Sequence, residues 1–279
     1  MKTLETIEDI RHTVKRWKSE GLSVGFVPTM GYLHEGHGSL IKRAAEDNDK
    51  VVVSIFVNPM QFGEGEDLDS YPRDLAKDQK FCESLGADVI FHPDADKMYA
   101  EGFCSYVDMS VLTEELCGLS RPVHFRGVCT VLTKLFNIVQ PDKAYFGQKD
   151  AQQLAIVKRM VLDLNMNLEI IGCPIIREED GLAKSSRNTY LSKDERKAAL
   201  ILYKAVTLGS KLVSEGEDDA DKIVAAMKEL IESEPMAKID YVKAVDGLSM
   251  QIVKKVQSPT LFAMAVYIGK TRLIDNFSV

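Results

Sequence analysis

The sequence predicts an α/β fold in which a doubly wound parallel sheet is followed by a smaller α+β domain. A short apolar run, residues 23–27, stops at Pro28 and leads through a glycine-bearing turn into a helical pattern. Residues 51–57 form a β-branched run, typical of a central parallel strand that is buried on both faces. After about residue 188 the pattern changes to two helices and then to apolar or alternating strands. We therefore expect two domains, 1–177 and 178–279.

Periodicity predicts the remaining elements in order. In the first domain we expect helices over residues 4–20, 39–48, 74–85, 128–138 and from Asp150 through Leu164, and strands over 88–92, 143–146 and 168–173. Residues 94–128 lack clear periodicity, so 121–128 is predicted to be an ordered loop. In the second domain we expect helices over 193–213 and 220–232, and strands near 238–245 and 260–277.

Composition limits the class of protein. The chain has 279 residues, 45% of them hydrophobic and 28% charged, which is typical of a globular protein. A net charge of −7 gives no global basic field for nucleic acid, so a phosphate ligand needs a local site. The five cysteines show no C-x-x-C spacing, which favours a reducing compartment over a zinc finger or disulfide framework. With an acidic start and no apolar run of roughly 18 residues, we expect a cytoplasmic protein without membrane contact.

The turn between the first strand and its helix is the strongest candidate site. Gly31, Gly36 and Gly38 lie there, with His34 and His37 three residues apart. Free N–H groups and the positive dipole end of a helix bind anions, glycine lets phosphate approach, and two imidazoles on one helix face can donate to phosphate oxygens. The alternatives are an ordinary glycine-rich turn and a metal site built on the two histidines. The pattern predicts a cradle for a nucleotide triphosphate.

Polar side chains follow the β-branched strand. Open α/β sheets bind ligands beyond the carboxyl ends of their strands, so Asn58 and Gln61 are candidates to hold a substrate. The alternative interpretation is a plain Asn58-Pro59 turn with a solvated Gln61. An acidic, polar segment over residues 63–70 is expected to be a loop near that site.

A second glycine-then-helix turn occurs at Gly147, with Lys149 at the predicted helix N-terminus. The helix dipole disfavours a cation there unless an anion neutralises both charges, which favours a phosphate role over a solvated lysine. Gln152 and Gln153 follow on the first helical turn, and one of them is expected to point into the same crevice.

Two basic segments complete the candidates. Arg121, His124 and Arg126 lie within six residues and would suit a carboxylate or phosphate, or would simply be surface charge. Farther on, Lys184 and Arg187 flank two serines, and all four side chains can donate to a polyphosphate. Such basic–serine runs are frequent in loops. A phosphate-binding role for this one is supported only because it follows a strand and because the histidine turn precedes it in the chain.

These segments together resemble a known family. The strand–His-x-Gly-His–helix order resembles the signature of the nucleotidyltransferase superfamily that includes class I aminoacyl-tRNA synthetases, and the Lys-Ser-Ser-Arg segment is similar to the loop that closes on phosphates there. The full series of motifs resembles the pantothenate synthetase (pantoate–β-alanine ligase) family. Those motifs occupy residues 28–37, 56–62, 71–73, 124–128, 147–153 and 177–191. The sequence departs from the family at Gly38, where many relatives have a bulkier residue, and at Lys184, where many have an apolar one.

The resemblance implies a Rossmann-like catalytic domain, an α+β C-terminal lid domain, and ATP-dependent condensation of (R)-pantoate with β-alanine through a pantoyl adenylate. It implies catalytic roles for His34, His37 and Lys149, with His37 as a proton donor. It implies pantoate or β-alanine contacts for Gln61, Gln153, Asn58 and Tyr71. The implied ATP-binding residues are Met30, Gly31, Tyr32, Leu33, His34, Glu35, Gly36, His37, Gly147, Gln148, Lys149, Asp150, Ile176, Lys184, Ser185, Ser186 and Arg187.

The resemblance also implies a homodimer. The sequence has no obvious carboxylate cage for a metal, so Mg²⁺ is expected to arrive bound through ATP phosphates, with Asp78 as a candidate to assist. Two rival functions remain: a related nucleotidyltransferase that adenylylates a phosphate monoester, and a non-catalytic nucleotide-sensing module. The first would need more cations in its acceptor pocket, and the second would not need the histidines, Lys149 and the Ser-Ser-Arg segment together.

Overall fold

The computed structural model, which describes residues 1–279, contains a six-stranded parallel sheet. Its strands are β1 Lys2–Leu4, β2 Val24–Thr29, β3 Lys50–Ile55, β4 Val89–Phe91, β5 Lys143–Gly147 and β6 Glu169–Cys173. Their spatial order is β1-β4-β3-β2-β5-β6, and every neighbouring pair is parallel. Chain order reverses beside β2, because β3 lies on one side of it and β5 on the other. Ligands of open parallel sheets bind beyond the carboxyl ends of strands at such a switch point.

The helices follow the strands in chain order. They are α1 Ile7–Ser19, α2 Glu35–Asp47, α3 Leu75–Ser84, α4 Ala95–Met98, α5 Cys117–Ser120, α6 His124–Val139, α7 Ala151–Asp163, α8 Lys193–Ala198, α9 Leu200–Ser214 and α10 Ala220–Glu232. No helix combines the length and the apolar character needed to cross a membrane.

Helices cover both faces of the parallel sheet, which explains why its strands are apolar on both sides. On one face Val27 and Val53 pack with Ile41 of α2 in a fully buried cluster. On the other face Phe26 meets Phe136 of α6 edge to face, with ring centroids 6.3 Å apart. The predicted doubly wound α/β fold is confirmed.

The chain divides into two compact units. The first contains Met1–Met109, Arg121–Gln148 and Val157–Pro174, and therefore the whole parallel sheet. The second contains Ser110–Ser120, Lys149–Ile156 and Ile175–Val279. Its antiparallel sheet has the order β7 Ala237–Asp246, β8 Thr260–Ile268 and β9 Thr271–Ser278, and α9 and α10 pack on it around a buried core that includes Ile223, Met227 and Phe262. The predicted domain division at residue 177 stays a prediction.

Several predicted boundaries were wrong in ways that the contacts explain. Helix α2 begins at Glu35 rather than Ser39, because His34 and His37 cap it. Helix α6 begins at His124, so residues 124–127 are its first turn rather than a loop. Strand β2 continues through Pro28, which lies beyond the two residues of β2 that pair with β5. Leu164 lies after the end of α7 and is 49% exposed.

Other differences concern elements that are short or interrupted. The short edge strand β1 was not predicted, since three residues are too few for a periodic pattern. The predicted helix over 193–213 is interrupted at Ala199, and the predicted strand region 260–277 is a hairpin of β8 and β9. Gly38 is also explained: a Cβ there would lie 2.9 Å from the Phe81 ring, so glycine allows α3 to approach α2.

Candidate active site

The two histidines of the predicted cradle lie at the N-terminus of α2. His34 is the N-cap residue, and its Nδ1 accepts a hydrogen bond from the N–H of Gly36 at 3.1 Å. The Nδ1 of His37 accepts from the N–H of His34 at 3.3 Å, which completes a capping box. The ring centroids are 4.1 Å apart. The prediction that both imidazoles share one face of the first turn is confirmed.

This capping arrangement determines the tautomer of both rings. An Nδ1 that accepts a hydrogen bond carries no proton, so each neutral ring carries its proton on Nε2. The backbone of α2 thus holds both neutral imidazoles with the proton on Nε2. Donors held at a helix N-terminus are suited to an anion, because the dipole adds partial positive charge.

A buried carboxylate shapes the turn that precedes α2. Asp78 of α3 is 1% exposed and accepts hydrogen bonds from the N–H groups of Tyr32 at 2.8 Å and Leu33 at 2.7 Å. Gly31 and Tyr32 have positive φ angles of 84° and 51°. Burial raises the pKa of Asp78, and the two N–H donors partly oppose that rise. Both oxygens of Asp78, the residue predicted as a candidate to assist Mg²⁺, accept hydrogen bonds from this turn.

Gln61 and Asn58 lie in and before the short 3-10 helix Pro59–Gln61, just beyond β3. The Nε2 of Gln61 lies 3.0 Å from the sulfur of Met30, which follows β2. Asn58 is 1% exposed, and its Nδ2 donates to Gln61 Oε1 at 3.2 Å and to the carbonyl of Gly127 at 3.1 Å. Its Oδ1 accepts from Tyr99 and from the N–H of Met60. The amide of Asn58 is thus occupied within the protein and orients Gln61.

The first turn of α6 holds Gln61 from the other side. The carbonyl oxygen of Gln61 lies 3.0 Å from Nδ1 of His124. Arg121 forms an ion pair with Glu66, with Nε and Oε1 2.8 Å apart, which ties the acidic segment to this turn. Burial raises the pKa of Glu66, but the hydrogen bonds and charge of Arg121 more than offset it and the pKa is lowered. Arg126 instead pairs with Asp108 on the surface.

Gly127 is required where α6 crosses this turn. A Cβ at residue 127 would lie 2.3 Å from the carbonyl oxygen of Met60 and 2.5 Å from the N of Gln61. Because backbone cannot yield as a side chain does, we expect Gly127→Ala to lower the free energy of unfolding by about 1–3 kcal/mol, measured by urea denaturation. Gly147→Ala is the matched control, since nothing lies within 4 Å of its Cβ position. Equal midpoints for the two variants would contradict this prediction.

Tyr71 and the glycine turn after β5 complete the first unit's candidates. Tyr71 is 5% exposed, and its ring contacts Phe62, with centroids 6.1 Å apart, so it packs beside the residue that follows Gln61. Gly147 ends β5 at the switch point, followed by Gln148, which is exposed. Along with the histidine turn after β2, these residues place the first unit's candidates at the carboxyl ends of β2, β3 and β5.

In the second unit, Lys149 and Asp150 form the end of a 3-10 turn directly before α7. Gln152 is 6% exposed; its Oε1 accepts from the N–H of Cys117, and its Nε2 donates to the carbonyls of Leu112 and Glu115. The amide of Gln152 therefore anchors the segment 110–120. Of the two glutamines, the half-buried Gln153 remains the candidate for a ligand.

The second basic segment follows a small hairpin. Arg177 bridges to Ala183, and the carbonyl of Ile176 accepts from the N–H of Lys184 at 2.9 Å. The Nζ of Lys184 lies 3.0 Å from Glu178. Ser185 then caps a 3-10 helix, Ser186–Tyr190, by accepting from the N–H of Arg187. The hairpin thus delivers Lys184, Ser185, Ser186 and Arg187 as one ordered group, with Ser186 buried.

The organising roles of three residues, Asp78, His124 and Gly127, were not predicted from the sequence. Asp78 has a signal, since it lies four residues before the buried Cys82 on the inner face of α3. His124 is predicted as a candidate to bind an anion, but its contact with Gln61 joins residues 63 positions apart and has no local signal. The only sequence signal for Gly127 is its place in the motif at residues 124–128. No group of three or more His, Cys, Asp or Glu side chains is arranged to hold a metal ion.

Comparison with known proteins gives a consistent result. The model of the pantoate-beta-alanine ligase family matches residues 2–278. The chain belongs to that family. The pantothenate synthetase of Ruminiclostridium cellulolyticum is 66% identical over 278 residues, covering 100% of this chain and 99% of the relative. That of Clostridium botulinum strain Loch Maree is 61% identical with the same coverage.

Solved structures of the family share the fold over the whole chain. The pantothenate synthetase of Thermus thermophilus is similar with a TM-score of 0.94 and 42% identity, covering 99% of both chains. The pantoate-beta-alanine ligase of Francisella tularensis, complexed with beta-gamma ATP and beta-alanine, has a TM-score of 0.82 and 34% identity, covering 100% of this chain and 97% of that one. The family predicted from the motifs, and with it the ligase class, is confirmed.

Proposed function

We propose that the chain joins (R)-pantoate to β-alanine in two steps that consume one ATP. A carboxylate oxygen of pantoate attacks the α-phosphorus, the bond from that phosphorus to the bridging oxygen breaks, and pyrophosphate leaves. The amine of β-alanine then attacks the acyl carbon of pantoyl adenylate, AMP leaves, and the nitrogen loses a proton. The observation that carries this proposal is the pair of imidazoles capping α2, both held with the proton on Nε2.

The histidine turn is proposed to bind the α-phosphoryl group. Attack of one anion on another needs donors aimed at the phosphoryl oxygens rather than a protein nucleophile. His34 and His37 supply such donors, and the proton-donor role proposed for His37 is hydrogen-bond donation from its Nε2–H to the α-phosphoryl oxygens. The turn beside them, held by Asp78, forms part of the ATP site; its proposed residues are Met30, Gly31, Tyr32, Leu33, Glu35 and Gly36.

Lys149 and the group after the hairpin are proposed to bind the β- and γ-phosphates and the leaving pyrophosphate. They supply cations and hydroxyl donors in place of the water that the phosphates lose on binding. Lys184 would exchange its partner Glu178 for a phosphate when ATP is bound. The proposed set is Gly147, Gln148, Lys149, Asp150, Ile176, Lys184, Ser185, Ser186 and Arg187.

Gln61 and Gln153 are proposed to bind the hydroxyl and carboxylate groups of pantoate. In this proposal Asn58 acts through Gln61, because its own amide is used within the protein, and Tyr71 packs alongside. Neutral amides suit a small hydroxy acid better than a phosphate monoester, which would need cations in the acceptor pocket. This favours the ligase over the nucleotidyltransferase with a phosphate-monoester acceptor.

Truncation of Gln61 tests the pantoate contact. We expect Gln61→Ala to raise KM for pantoate by roughly 10–100-fold, the scale of a lost substrate-orienting group, while KM for ATP changes little. Gln79→Ala is a matched control, since the Nε2 of Gln79 donates a hydrogen bond to the hydroxyl of Thr3 in the edge strand β1. Steady-state kinetics with each substrate varied gives both constants. Equal increases in both KM values would argue against a pantoate contact.

The two half-reactions test the function itself. Pyrophosphate release from Mg-ATP is measured with pantoate alone, and AMP and product formation are measured after β-alanine is added. We expect release to depend on pantoate and turnover to depend on β-alanine. Pyrophosphate release that does not respond to pantoate, but does respond to a phosphate monoester, would favour the nucleotidyltransferase. ATP binding without release would favour the nucleotide-sensing module.

Further parts of the proposal rest on the family resemblance. Mg²⁺ is proposed to be held by the phosphates of ATP, where it would neutralise their charge. The second unit is proposed to act as a lid that excludes water from pantoyl adenylate. A homodimer in the cytoplasm is proposed, and sedimentation equilibrium would test the dimer.

A further inference from the structure

Two adjacent residues of strand β9, Asp275 and Asn276, have buried polar side chains. Asp275 is 2% exposed and Asn276 is 6% exposed. Buried polar groups are costly unless they are hydrogen-bonded. Since successive side chains of a strand point to opposite faces of its sheet, these two residues reach different segments of the second unit.

Asp275 holds the hairpin that precedes the basic segment. Its Oδ2 and Oδ1 accept from Nη1 and Nη2 of Arg177 at 2.7 and 2.9 Å. The same guanidinium donates to the carbonyl of Gly181 at 3.1 Å and stacks on Tyr203 of α9, 5.0 Å from the ring centroid. A bidentate ion pair fixes orientation as well as distance, so Asp275 anchors the start of the hairpin to β9.

Asn276 holds the main chain at Lys149. Its Nδ2 donates to the carbonyl oxygen of Lys149 at 2.8 Å, while its N–H donates to the carboxylate of Asp275 at 2.8 Å. The contact uses the backbone of Lys149 and not its ammonium. It therefore determines where the lysine side chain starts without competing for its charge.

We propose that Asp275 and Asn276 are positioning residues that set the spacing between Lys149 and the group Lys184–Arg187. The inference rests on the proposed function, in which both segments bind the phosphates of ATP. Consecutive Cα atoms lie about 3.8 Å apart, so one strand fixes the anchor points of two segments that are distant in sequence. Preorganised cations stabilise developing phosphate charge without reorganisation during the reaction.

Asn276→Ala tests the contact to Lys149, in the wild-type and in the Lys149→Ala background. We expect pantoate-dependent pyrophosphate release to slow by roughly 10–100-fold in the first background, the scale of a misplaced catalytic group. In the Lys149→Ala background we expect no further loss, because a residue that acts through Lys149 has nothing left to position. A merely structural role would slow both backgrounds alike.

Ser278→Ala is the matched control, since Ser278 lies two residues on, on the same face of β9, and is exposed. We expect it to react at the wild-type rate. If thermal melting shows that Asn276→Ala is unfolded, Asn276→Ser replaces it in both backgrounds, because serine keeps a short hydrogen-bond donor. A wild-type rate for Asn276→Ala, or an equal loss in both backgrounds, would overturn the inference. Failure of wild-type protein to respond to pantoate would instead overturn the proposed function.

The Asp275 contact has its own test. Arg177→Lys keeps the positive charge but cannot form the bidentate pair with Asp275, so the hairpin should shift relative to β9. We expect KM for ATP to rise roughly 10-fold, again the scale of misplacement, while KM for pantoate is unchanged. Parallel changes in both constants, or none in either, would count against a role in phosphate positioning.

Discussion

Replacing His37 with alanine is expected to slow pantoate-dependent pyrophosphate release by roughly 10²–10³-fold, the scale for loss of one preorganised donor. The Nδ1 of His37 accepts from the N–H of His34, so its other nitrogen carries the donor. The alanine variant loses that donor. Single-turnover pyrophosphate release with saturating Mg-ATP and pantoate measures the effect.

Loss of the helix cap must be separated from loss of the donor. His37→Ala removes half of the capping box, which costs about 1 kcal/mol of stability. His37→Gln restores a residue favoured at this capping position, but its amide N–H groups do not occupy the position of the imidazole Nε2–H. We therefore expect the glutamine variant to recover the wild-type melting temperature and to remain slow. His12→Ala, on the exposed face of α1, is the control for general effects. Near-normal adenylation in the alanine variant would remove His37 from the mechanism.

Replacing Lys149 with alanine is expected to slow the same half-reaction by roughly 10²–10³-fold. Lys149 precedes α7, where a cation is unfavourable beside the helix dipole unless an anion is bound. When ATP is bound, the variant lacks a cation that contacts the phosphates. When ATP is absent, the variant lacks an unfavourable charge beside the helix dipole. We expect slower pyrophosphate release and weaker ATP binding, together with unchanged or slightly raised thermal stability.

The sign of that stability change makes the test specific. Lys158→Ala, on the exposed side of the same helix, should leave both rate and ATP affinity unchanged. Lys149→Arg keeps the charge with a different shape and should retain part of the rate. A Lys149→Ala variant that is strongly destabilised, or that weakens pantoate while ATP binding stays intact, would contradict the phosphate role.

Much of the fold was predictable because its signals are local. The helix over Ile10, Val14 and Trp17 and the β-branched strand at residues 51–57 depend on periodicity alone, and both occur as expected apart from their ends. Helix starts were predicted poorly. Helix α2 starts at a histidine capping box and α6 at a turn whose His124 contacts Gln61, and neither feature has an apolar period.

The candidate site was predictable to the level of segments, with individual polar roles less so. Gln152 and Gln153 are equivalent in the sequence, but only Gln152 is used to anchor the segment 110–120. Asn58 and Gln61 both follow β3, but the amide of Asn58 is consumed by protein partners. Arg121 and Arg126 were equal candidates for an anion, and each pairs with a carboxylate of the protein itself.

The sequence by itself determined the α/β class, the order of the motifs and the family, because these depend on periodicity and on residues close together in the chain. Only the tertiary structure decided which polar side chains bind other parts of the protein. Asp78 meets Leu33 across 45 positions, and Asn276 meets Lys149 across 127. A hydrogen bond over such distances depends on how strands and helices pack, and packing brings together residues whose own neighbourhoods in the sequence carry no sign of the contact.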